Sequence, residues 1–345
     1  MDKLRIAVMG GGYWGKNLIK NFSHLEEGEI KIICDLNQEV LKETISQFPF
    51  LEATSDLNKV LKNEEIDCVA IATPPSLHYP VAKEALLAKK HTWVEKPLAM
   101  QIKEGEELVQ LAKKEGLVIF VDETFLYDPA LRIVKEMVDS GRVGEVYHLL
   151  FQRLGMGRVR CDSNVWWNSA PHDLSILRYL VSSPINNISL RNFGYLQKDI
   201  EDVSWASLEF ENGISAGIYL SWFYPLSTAS VTVIGSKGAI HYEGRFQARK
   251  VRFYKFNLGS PPEKKVNGVP SPNFIPISAK VEEEITDFGK LTPLEIACQH
   301  FLRCIKEKKE PISSGQNSLK VLRLLEAGEI SSQKGGIPIK VAEEW

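Results

Sequence analysis

Three patterns that each define a class of protein are absent from this chain of 345 residues. Its five cysteines never fall into C-x-x-C spacing, so they predict neither a metal site nor a disulfide framework. No apolar run in the sequence is long enough to span a bilayer. Lysine plus arginine number 42 against 44 for aspartate plus glutamate, with no basic block, so no surface for nucleic acid is indicated.

These absences leave an ordinary globular chain whose length predicts two domains. The hydrophobic and charged fractions, 44% and 25%, are typical of folded proteins, and the chain is long for a single core. The apolar stretch near the N-terminus is too short for the core of a signal peptide and already reads as a strand. We therefore expect a cytoplasmic protein without a metal ion, a membrane partner or a nucleic-acid partner.

The glycines near the start of the chain predict a phosphate-binding turn. An apolar run (LRIAVM) is followed by G-x-G-x-x-G at Gly10, Gly12 and Gly15 and then by a helical pattern. Gly10 permits the tight turn, Gly12 lets the backbone approach a pyrophosphate, and Gly15 lets the helix pack closely on the strand. Tyr13 and Trp14 lie between the last two glycines and are predicted to contact a bound dinucleotide.

A carboxylate at the end of the second predicted strand indicates which dinucleotide binds. Asp35 follows the run IKIIC about twenty residues past the last glycine, where a carboxylate accepts hydrogen bonds from the adenosine ribose. Its charge repels the 2′-phosphate of NADP, and Leu36-Asn37 supplies no cation. We predict NAD as the cofactor. The alternative is a glycine-rich turn with an incidental aspartate.

The strand and helix patterns change character along the chain. Over residues 1–122 strands and helices alternate, which predicts a Rossmann domain with a parallel, doubly wound sheet. Residues 123–345 contain alternating apolar and polar segments, which predict an α+β domain with a large, open and mainly antiparallel sheet. A helix from about Pro171 to Leu180 interrupts that sheet, and helices within 292–332 could pack back on the first domain. The open sheet predicts a homodimer or homotetramer.

Polar loops follow three consecutive strands of the first domain. Because ligands of open α/β sheets bind at the carboxyl ends of the strands, we expect these loops to converge beside the nicotinamide. Each loop supplies candidate contacts, although His78 has an alternative role in capping a helix and Tyr127 an alternative role in packing. The candidates are Thr73, Pro74 and His78 in the first loop, Glu95 and Lys96 in the second, and Tyr127 in the third.

These motifs together resemble the Gfo/Idh/MocA oxidoreductases. The resemblance rests on the glycine motif, the A-T-P-x-x-x-H run of residues 72–78 and the Glu95-Lys96-Pro97 triplet, and it covers nearly the whole chain. It implies a Rossmann domain, an open antiparallel sheet domain, a bound NAD(P) and a sugar or polyol substrate oxidised at a secondary alcohol. Lys96 matches the lysine of the family's triplet, which implies a catalytic role.

The same resemblance implies a second catalytic residue, His172. The family carries D-x-x-x-H on a helix of the second domain, and here Asn168 stands at the aspartate position. An amide can orient a substrate hydroxyl but cannot take a proton. His172 and Lys96 must therefore carry out the proton transfer between them. A neutral imidazole is a suitable base near pH 7. Lys96 either transfers a proton or stays charged and stabilises the developing alkoxide.

A narrower resemblance concerns the substrate. The segment from Gly157 to His172 and the loop of residues 124–127 look like nucleotide-sugar 3-dehydrogenases of the UDP-N-acetylglucosamine type. This implies oxidation at C3 of a UDP-linked N-acetylhexosamine, with Arg158 and Arg160 on the diphosphate and Trp166 stacked on the substrate. Solvated arginines and a core tryptophan are the alternatives. An inositol or free-polyol dehydrogenase and a non-catalytic NAD-sensing regulator are the alternative functions.

Overall fold

The computed structural model describes residues 3–157, 159–244, 248–262 and 264–341. Contacts divide the chain into two compact units, each composed of three segments. The helices near the C-terminus are shared between them, with the greater part in the first unit. The first unit comprises the chain up to Asp128, Leu174–Ile176 and Lys290–Ala327; the second comprises Pro129–Asp173, Leu177–Gly289 and the chain from Gly328.

A six-stranded parallel sheet is the framework of the first unit. Its strands are β1 (Leu4–Met9), β2 (Gly28–Cys34), β3 (Glu52–Thr54), β4 (Cys68–Ile71), β5 (His91–Val94) and β6 (Ile119–Val121). They lie in the order β3-β2-β1-β4-β5-β6, all parallel, which confirms the predicted Rossmann domain. In such a sheet the ligand site lies where the strand order reverses, between β1 and β4.

Helices cover both faces of this sheet, so its inner strand β4 is buried at every residue, whereas the edge strand β3 is largely exposed. The helices between the strands are α1 (Tyr13–Ser23), α2 (Gln38–Gln47), α3 (Leu57–Leu61), α4 (His78–Leu87) and α5 (Ile102–Glu115). On one face Trp93 and Phe120 stack with ring centroids 4.2 Å apart, and Phe22 and Phe301 pack edge-on against them. All four side chains are fully buried. The aromatic cluster therefore keeps water away from that face of β5 and β6.

The second unit is built on a nine-stranded sheet, which is mainly antiparallel as predicted. Its helices and strands are α6 (Pro129–Asp139), β7 (Val146–Leu154), α7 (Val165–Leu180), β8 (Ile185–Phe193), β9 (Val203–Phe210), β10 (Ser215–Ser221), β11 (Thr228–Gly235), β12 (Gly238–Glu243) and β13 (Lys250–Leu258). The remaining elements of the chain are β14 (Lys265–Val266), β15 (Val269–Pro270), β16 (Ile277–Ile285), α8 (Pro293–Glu307), α9 (Gly315–Gln333) and β17 (Ile339–Lys340). The sheet order is β16-β13-β12-β11-β7-β10-β9-β8-β17, and β7 and β10 form its parallel pair.

One helix of the second unit begins earlier than the sequence predicts. We expected it to start at Pro171, but α7 starts at Val165, where the side chain of Asn164 accepts a hydrogen bond from the N–H of Trp167. Pro171 lies inside the helix, where its missing N–H removes one helical hydrogen bond and does not end the helix. As a result, Asn168 and His172 belong to one continuous helix.

Candidate active site

The glycine turn after β1 has the geometry of a phosphate cradle. Gly10 has a φ of +95°, and a Cβ there would meet the carbonyl oxygen of Ala72 at 2.6 Å, so glycine is required. A Cβ on Gly15 would lie 1.8 Å from the carbonyl oxygen of Gly10. A Cβ on Gly12 would meet nothing within 4 Å, which leaves space for a phosphate beside the backbone. Helix α1 starts there without a side-chain cap, so its first N–H groups remain available to an anion.

Two aromatic side chains beside this turn are exposed. Tyr13 is 68% exposed and Trp14 is 46% exposed, and their rings meet edge to face with centroids 5.5 Å apart. Large aromatic side chains are usually buried, so this exposure beside the phosphate cradle leaves both rings available to a bound dinucleotide. Their contact with the cofactor remains a prediction.

Asp35 connects the end of β2 to the glycine turn. Its Oδ2 accepts a hydrogen bond from the N–H of Gly11 at 2.8 Å, and its Oδ1 accepts one from the N–H of Asn37 at 2.8 Å. Each oxygen can accept a second hydrogen bond, which a ribose diol can donate. The next residue, Leu36, is 83% exposed and brings no positive charge. The arrangement therefore suits an unphosphorylated ribose.

His78 fixes the turn that carries Lys96. Its Nδ1 lies 2.7 Å from the carbonyl oxygen of Pro97 and its Nε2 lies 3.0 Å from that of Thr73, so the buried ring bridges the loops after β4 and β5. Burial lowers the pKa of His78, although both backbone hydrogen bonds oppose this. The contacts favour a structural role, while Thr73 and the exposed Pro74 remain predicted cofactor contacts.

The carboxyl ends of β5 and β6 bring together two buried carboxylates, of which the sequence indicated one. Glu95 follows β5 and is 8% exposed, and Asp122 follows β6 and is 1% exposed. Burial raises the pKa of Glu95 well above its usual range, and the charge of Asp122 raises it further. The predicted cofactor contact of Glu95 remains untested. The signal for Asp122 was an acidic residue directly after the apolar run LVIFV.

The loop after β6 is anchored inside the first unit. Tyr127 is fully buried, and its hydroxyl bonds Ser313 Oγ at 2.8 Å and His300 Nδ1 at 3.0 Å. Ser318 donates a hydrogen bond of 2.7 Å to Glu123 Oε1. A fully buried, hydrogen-bonded phenol favours the packing role for Tyr127 over contact with substrate. The sequence did not signal its partners, because they lie far along the chain on or before α8 and α9.

In the second unit, helix α7 presents the predicted base on a partly accessible face. Asn168 and His172 are one helical turn apart and both half-buried, whereas Asp173 is buried. Arg153 on β7 donates a 2.7 Å hydrogen bond to Asp173 Oδ1, which ties this helix to the sheet. Burial raises the pKa of Asp173, and Arg153 opposes that rise. The position of His172 thus depends on a buried ion pair at the next residue.

The remaining predicted substrate contacts differ in their surroundings. Trp166 is fully buried, with its indole so close to Gly328 that a Cβ there would meet the ring at 2.6 Å. This favours the core role for Trp166. Arg160 donates two hydrogen bonds to the carboxylate of Asp162, so its charge is already partly compensated. Arg158 lies outside the described residues.

The residues of the described ranges bear on two further features, metal binding and membrane crossing. Among these residues no three histidine, cysteine, aspartate or glutamate side chains group as metal ligands. No helix in the same ranges has the length and apolarity needed to cross a membrane.

The two units correspond to the two domains of one protein family. The family description "Oxidoreductase family, NAD-binding Rossmann fold" matches residues 4–123, and "GFO/IDH/MocA C-terminal domain" matches residues 131–241. The chain therefore belongs to the GFO/IDH/MocA oxidoreductases, as its motifs indicated. The first unit is an NAD-binding Rossmann domain, and the glycine cradle and Asp35 are the features on it that fit the dinucleotide.

Individual relatives show how far this similarity extends. The uncharacterized oxidoreductase YrbE of Bacillus subtilis is 27% identical over 222 residues, which is 61% of this chain and 65% of YrbE. The chain thus matches less than two thirds of that relative's length. UDP-N-acetylglucosamine 3-dehydrogenase GnnA from Acidithiobacillus ferrooxidans has a TM-score of 0.80 at 19% identity, covering 97% of this chain and 99% of GnnA. Levoglucosan dehydrogenase, in complex with NADH and levoglucosan, has a TM-score of 0.82 at 19% identity, covering 99% and 100%.

Proposed function

We propose that this chain is an NAD-dependent dehydrogenase that oxidises a secondary alcohol of a sugar, specifically C3 of a UDP-linked N-acetylhexosamine. The observation that carries the proposal is the position of Lys96 in the turn after β5, two residues past the end of the strand. The strand order reverses between β1 and β4, and β5 is the neighbour of β4. A lysine at this edge of a dinucleotide-binding sheet stands where the reacting end of the cofactor is expected.

The proposed roles of the side chains follow from their chemistry. When bound, NAD would supply the acceptor for the hydride that leaves the alcohol carbon. His172 takes the hydroxyl proton as a neutral imidazole, and Asn168 one turn earlier orients the hydroxyl without carrying charge. Lys96, held by the turn that His78 braces, acts on the oxygen as it becomes an alkoxide.

The nucleotide part of the substrate is supported by resemblance to the 3-dehydrogenase subgroup. Within this fold GnnA acts on UDP-N-acetylglucosamine, as its name states. Arg160 is the described arginine that could meet a diphosphate, and it would have to exchange Asp162 for the phosphate oxygens. An exposed pair of this kind is weak, so such an exchange costs little.

The pairing of Arg160 with Asp162 also favours a second candidate, a dehydrogenase of a free sugar or polyol. An uncharged substrate does not need a free guanidinium, and here the guanidinium is already occupied by a carboxylate. Levoglucosan dehydrogenase, which has the same fold, was crystallised with an uncharged sugar derivative. Its TM-score and that of GnnA are nearly equal, so the fold does not distinguish the two candidates.

A substrate panel separates these candidates. The purified protein is incubated with NAD and with UDP-N-acetylglucosamine, its uronate, dTDP-hexoses, inositol and free hexoses, and NADH absorbance is recorded. We expect turnover with a UDP-linked N-acetylhexosamine and a product that carries a 3-keto group. Turnover with inositol or free sugars alone would establish the second candidate. Absence of turnover with NADH still bound would favour the regulator.

Two variants test the role of Arg160. Arg160→Gln should raise KM for the UDP-sugar with little change in kcat. Asp162→Asn releases the guanidinium from its carboxylate partner and should lower the same KM. If neither variant changes the KM for the UDP-sugar, the diphosphate does not bind at Arg160. A cytoplasmic location and a homodimer or homotetramer remain predictions, and the mass in solution tests the second.

A further inference from the structure

Glu95 and Asp122 occupy equivalent positions on neighbouring parallel strands. Val94 pairs with Val121 at the ends of β5 and β6, and the N–H of Asp122 donates to the carbonyl oxygen of Val94 at 2.8 Å. The two carboxylates therefore lie side by side, each one residue beyond the last residue pair of the two strands. Because side chains two residues apart share a face of a strand, they lie on the face that carries the stacked rings of Trp93 and Phe120.

The surroundings of the two carboxylates offer few donors. Thr124 Oγ1 donates a 2.6 Å hydrogen bond to Asp122 Oδ1. Within the described part of the chain, Glu95 Oε1 and Asp122 Oδ2 are buried without a hydrogen-bond partner. Cys298 lies on the face of α8 that also carries Phe301 and is fully buried. Burial raises the pKa of its thiol, and the charges of both carboxylates raise it further.

The charged and titratable groups around the pair are few and can be named. Lys96 is the positive charge that acts on both carboxylates. From α8, Cys298 faces the pair, and burial raises its thiol pKa well above the usual range. Glu295 lies on the same helix, and its negative charge acts on Cys298. Glu123, the neighbour of Asp122, accepts a hydrogen bond from Ser318. Among the described groups named here, the carboxyl groups thus outnumber the lysine.

Two ionised carboxylates in contact inside a dry core repel each other, and neither can donate a hydrogen bond to the other. One proton removes the repulsion and converts one carboxyl into a donor for an oxygen that otherwise has none. We propose that Glu95 and Asp122 share a single proton and carry one negative charge between them, which serves Lys96 as a fixed counter-charge. The geometry of the strand ends and the unsatisfied oxygens support this.

The consequence concerns the role of Lys96, and this part rests on the dehydrogenase function proposed above. A permanent negative charge beside Lys96 favours its ammonium form. The lysine then stabilises the developing alkoxide as a cation, and His172 alone takes the proton. Glu95 and Asp122 touch neither substrate nor cofactor in this account, and they are positioning residues that act through Lys96.

Amide variants test the shared proton because an amide mimics a protonated carboxyl. Glu95→Gln and Asp122→Asn each leave one carboxylate and supply a donor to it, so the charge of the pair is unchanged. In each of them the alkaline limb of the pH–rate profile should stay at its wild-type position. The double variant removes the charge, and the alkaline limb of the pH–rate profile should move to lower pH by about one to three units.

Infrared spectroscopy provides a readout that needs no substrate. At pH 7 the wild-type protein should show the band of one buried protonated carboxyl, shifted in D₂O and absent from both single variants. Glu107→Gln is the matched control, because burial is negligible there, Lys83 lowers the Glu107 pKa and the band should persist. Absence of the band from the wild-type protein would overturn the shared proton. If the wild-type protein shows the band but the alkaline limb does not move in the double variant, only the proposed effect on Lys96 is overturned.

Discussion

The two sheets of this protein bury their residues in opposite ways. In the first unit β4 and β6 are buried at every residue, because helices cover both faces of a parallel sheet. In the second unit β9 alternates between buried and exposed residues, and Trp205 is 52% exposed while it stacks on Tyr219. In β4 and β6 polar side chains can therefore follow only at the strand ends, whereas β9 presents exposed side chains along its length.

The buried carboxylates of the two units show the same contrast. In the first unit Glu95 faces another carboxylate, and a proton is the means of reducing the charge. In the second unit Asp173 faces Arg153, and an ion pair compensates the charge. The charge of the carboxylate pair in the first unit should therefore change with pH. In the second unit, Asp173 should instead be sensitive to the loss of Arg153.

The largest effect is expected from the strand end of the first unit. Lys96→Met should lower kcat by roughly 10²–10⁴ while NADH binding is retained, because only alkoxide stabilisation or proton transfer is lost. Turnover and NADH fluorescence titration measure the two properties. Lys103→Met, which alters an exposed lysine on the following helix, is the control and should change neither. A near-normal rate in Lys96→Met would make this lysine structural.

A stability comparison tests the contrast between the sheets. Phe120→Ala removes a fully buried ring from the aromatic cluster and should cost about 3–5 kcal/mol of unfolding free energy. Trp205→Ala removes a half-exposed ring and should cost less than about 1 kcal/mol within one chain. Chemical denaturation measures both. If Trp205→Ala instead lowers the mass in solution, the exposed face of this sheet is an oligomer interface.

The regular elements of both sheets could be predicted from the sequence, because their periodicity reflects local burial. Strand Val203–Phe210, for example, alternates half-buried or exposed residues with buried ones along its whole length, over its second half in step with the apolar and polar alternation of its sequence. Strand Ile277–Ile285 was not predicted, since it is an edge strand whose residues are nearly all exposed. Helix Pro129–Asp139 also lacked a prediction, although its buried residues follow a helical period.

The candidate site was predictable only where a motif is contiguous in sequence. Lys96 and the glycines stand in such motifs. Asp122 does not, because its pairing with Glu95 depends on the register between two strands that lie a helix apart. The start of α7 depends on the cap at Asn164, and a proline inside the helix concealed it. The roles of the buried side chains depend on tertiary packing. A local sequence pattern does not indicate such packing.

The buried carboxylates give the next prediction. Arg153→Met leaves Asp173 buried without its cation and should cost about 3 kcal/mol, at the low end for such pairs since the arginine is partly exposed. Glu95→Gln keeps the charge of its pair and should cost little at pH 7. Because the pKa of Glu95 is raised in the folded state, that state binds an extra proton, and unfolding free energy should fall as pH rises above the usual carboxyl range. Glu95→Gln should flatten this slope, and an unchanged slope would contradict the assignment.

Cofactor choice tests the strand end of β2 in the first unit. Asp35→Asn keeps one oxygen that can accept one of the two backbone hydrogen bonds, and it removes the charge that repels a 2′-phosphate. The preference for NADH over NADPH should narrow by about tenfold, which corresponds to about 1.4 kcal/mol. Fluorescence titration with both cofactors measures it. Tighter binding of NADPH than NADH by the wild-type protein would contradict the ribose assignment.

The smallest effect is expected on α7 of the second unit, where Asn168 replaces the usual family aspartate. If His172 is the base, kcat/KM should fall at low pH with one ionisation, and His172→Asn should remove that limb with most of the activity. Asn168→Asp places an anion one helical turn away and favours the imidazolium form, so the acid limb should move to higher pH by about one unit. The double variant Asn168→Asp/His172→Asn should show no acid limb to move. An unmoved limb in Asn168→Asp would mean that the two side chains do not interact, and the match of the D-x-x-x-H motif to this helix would then be wrong.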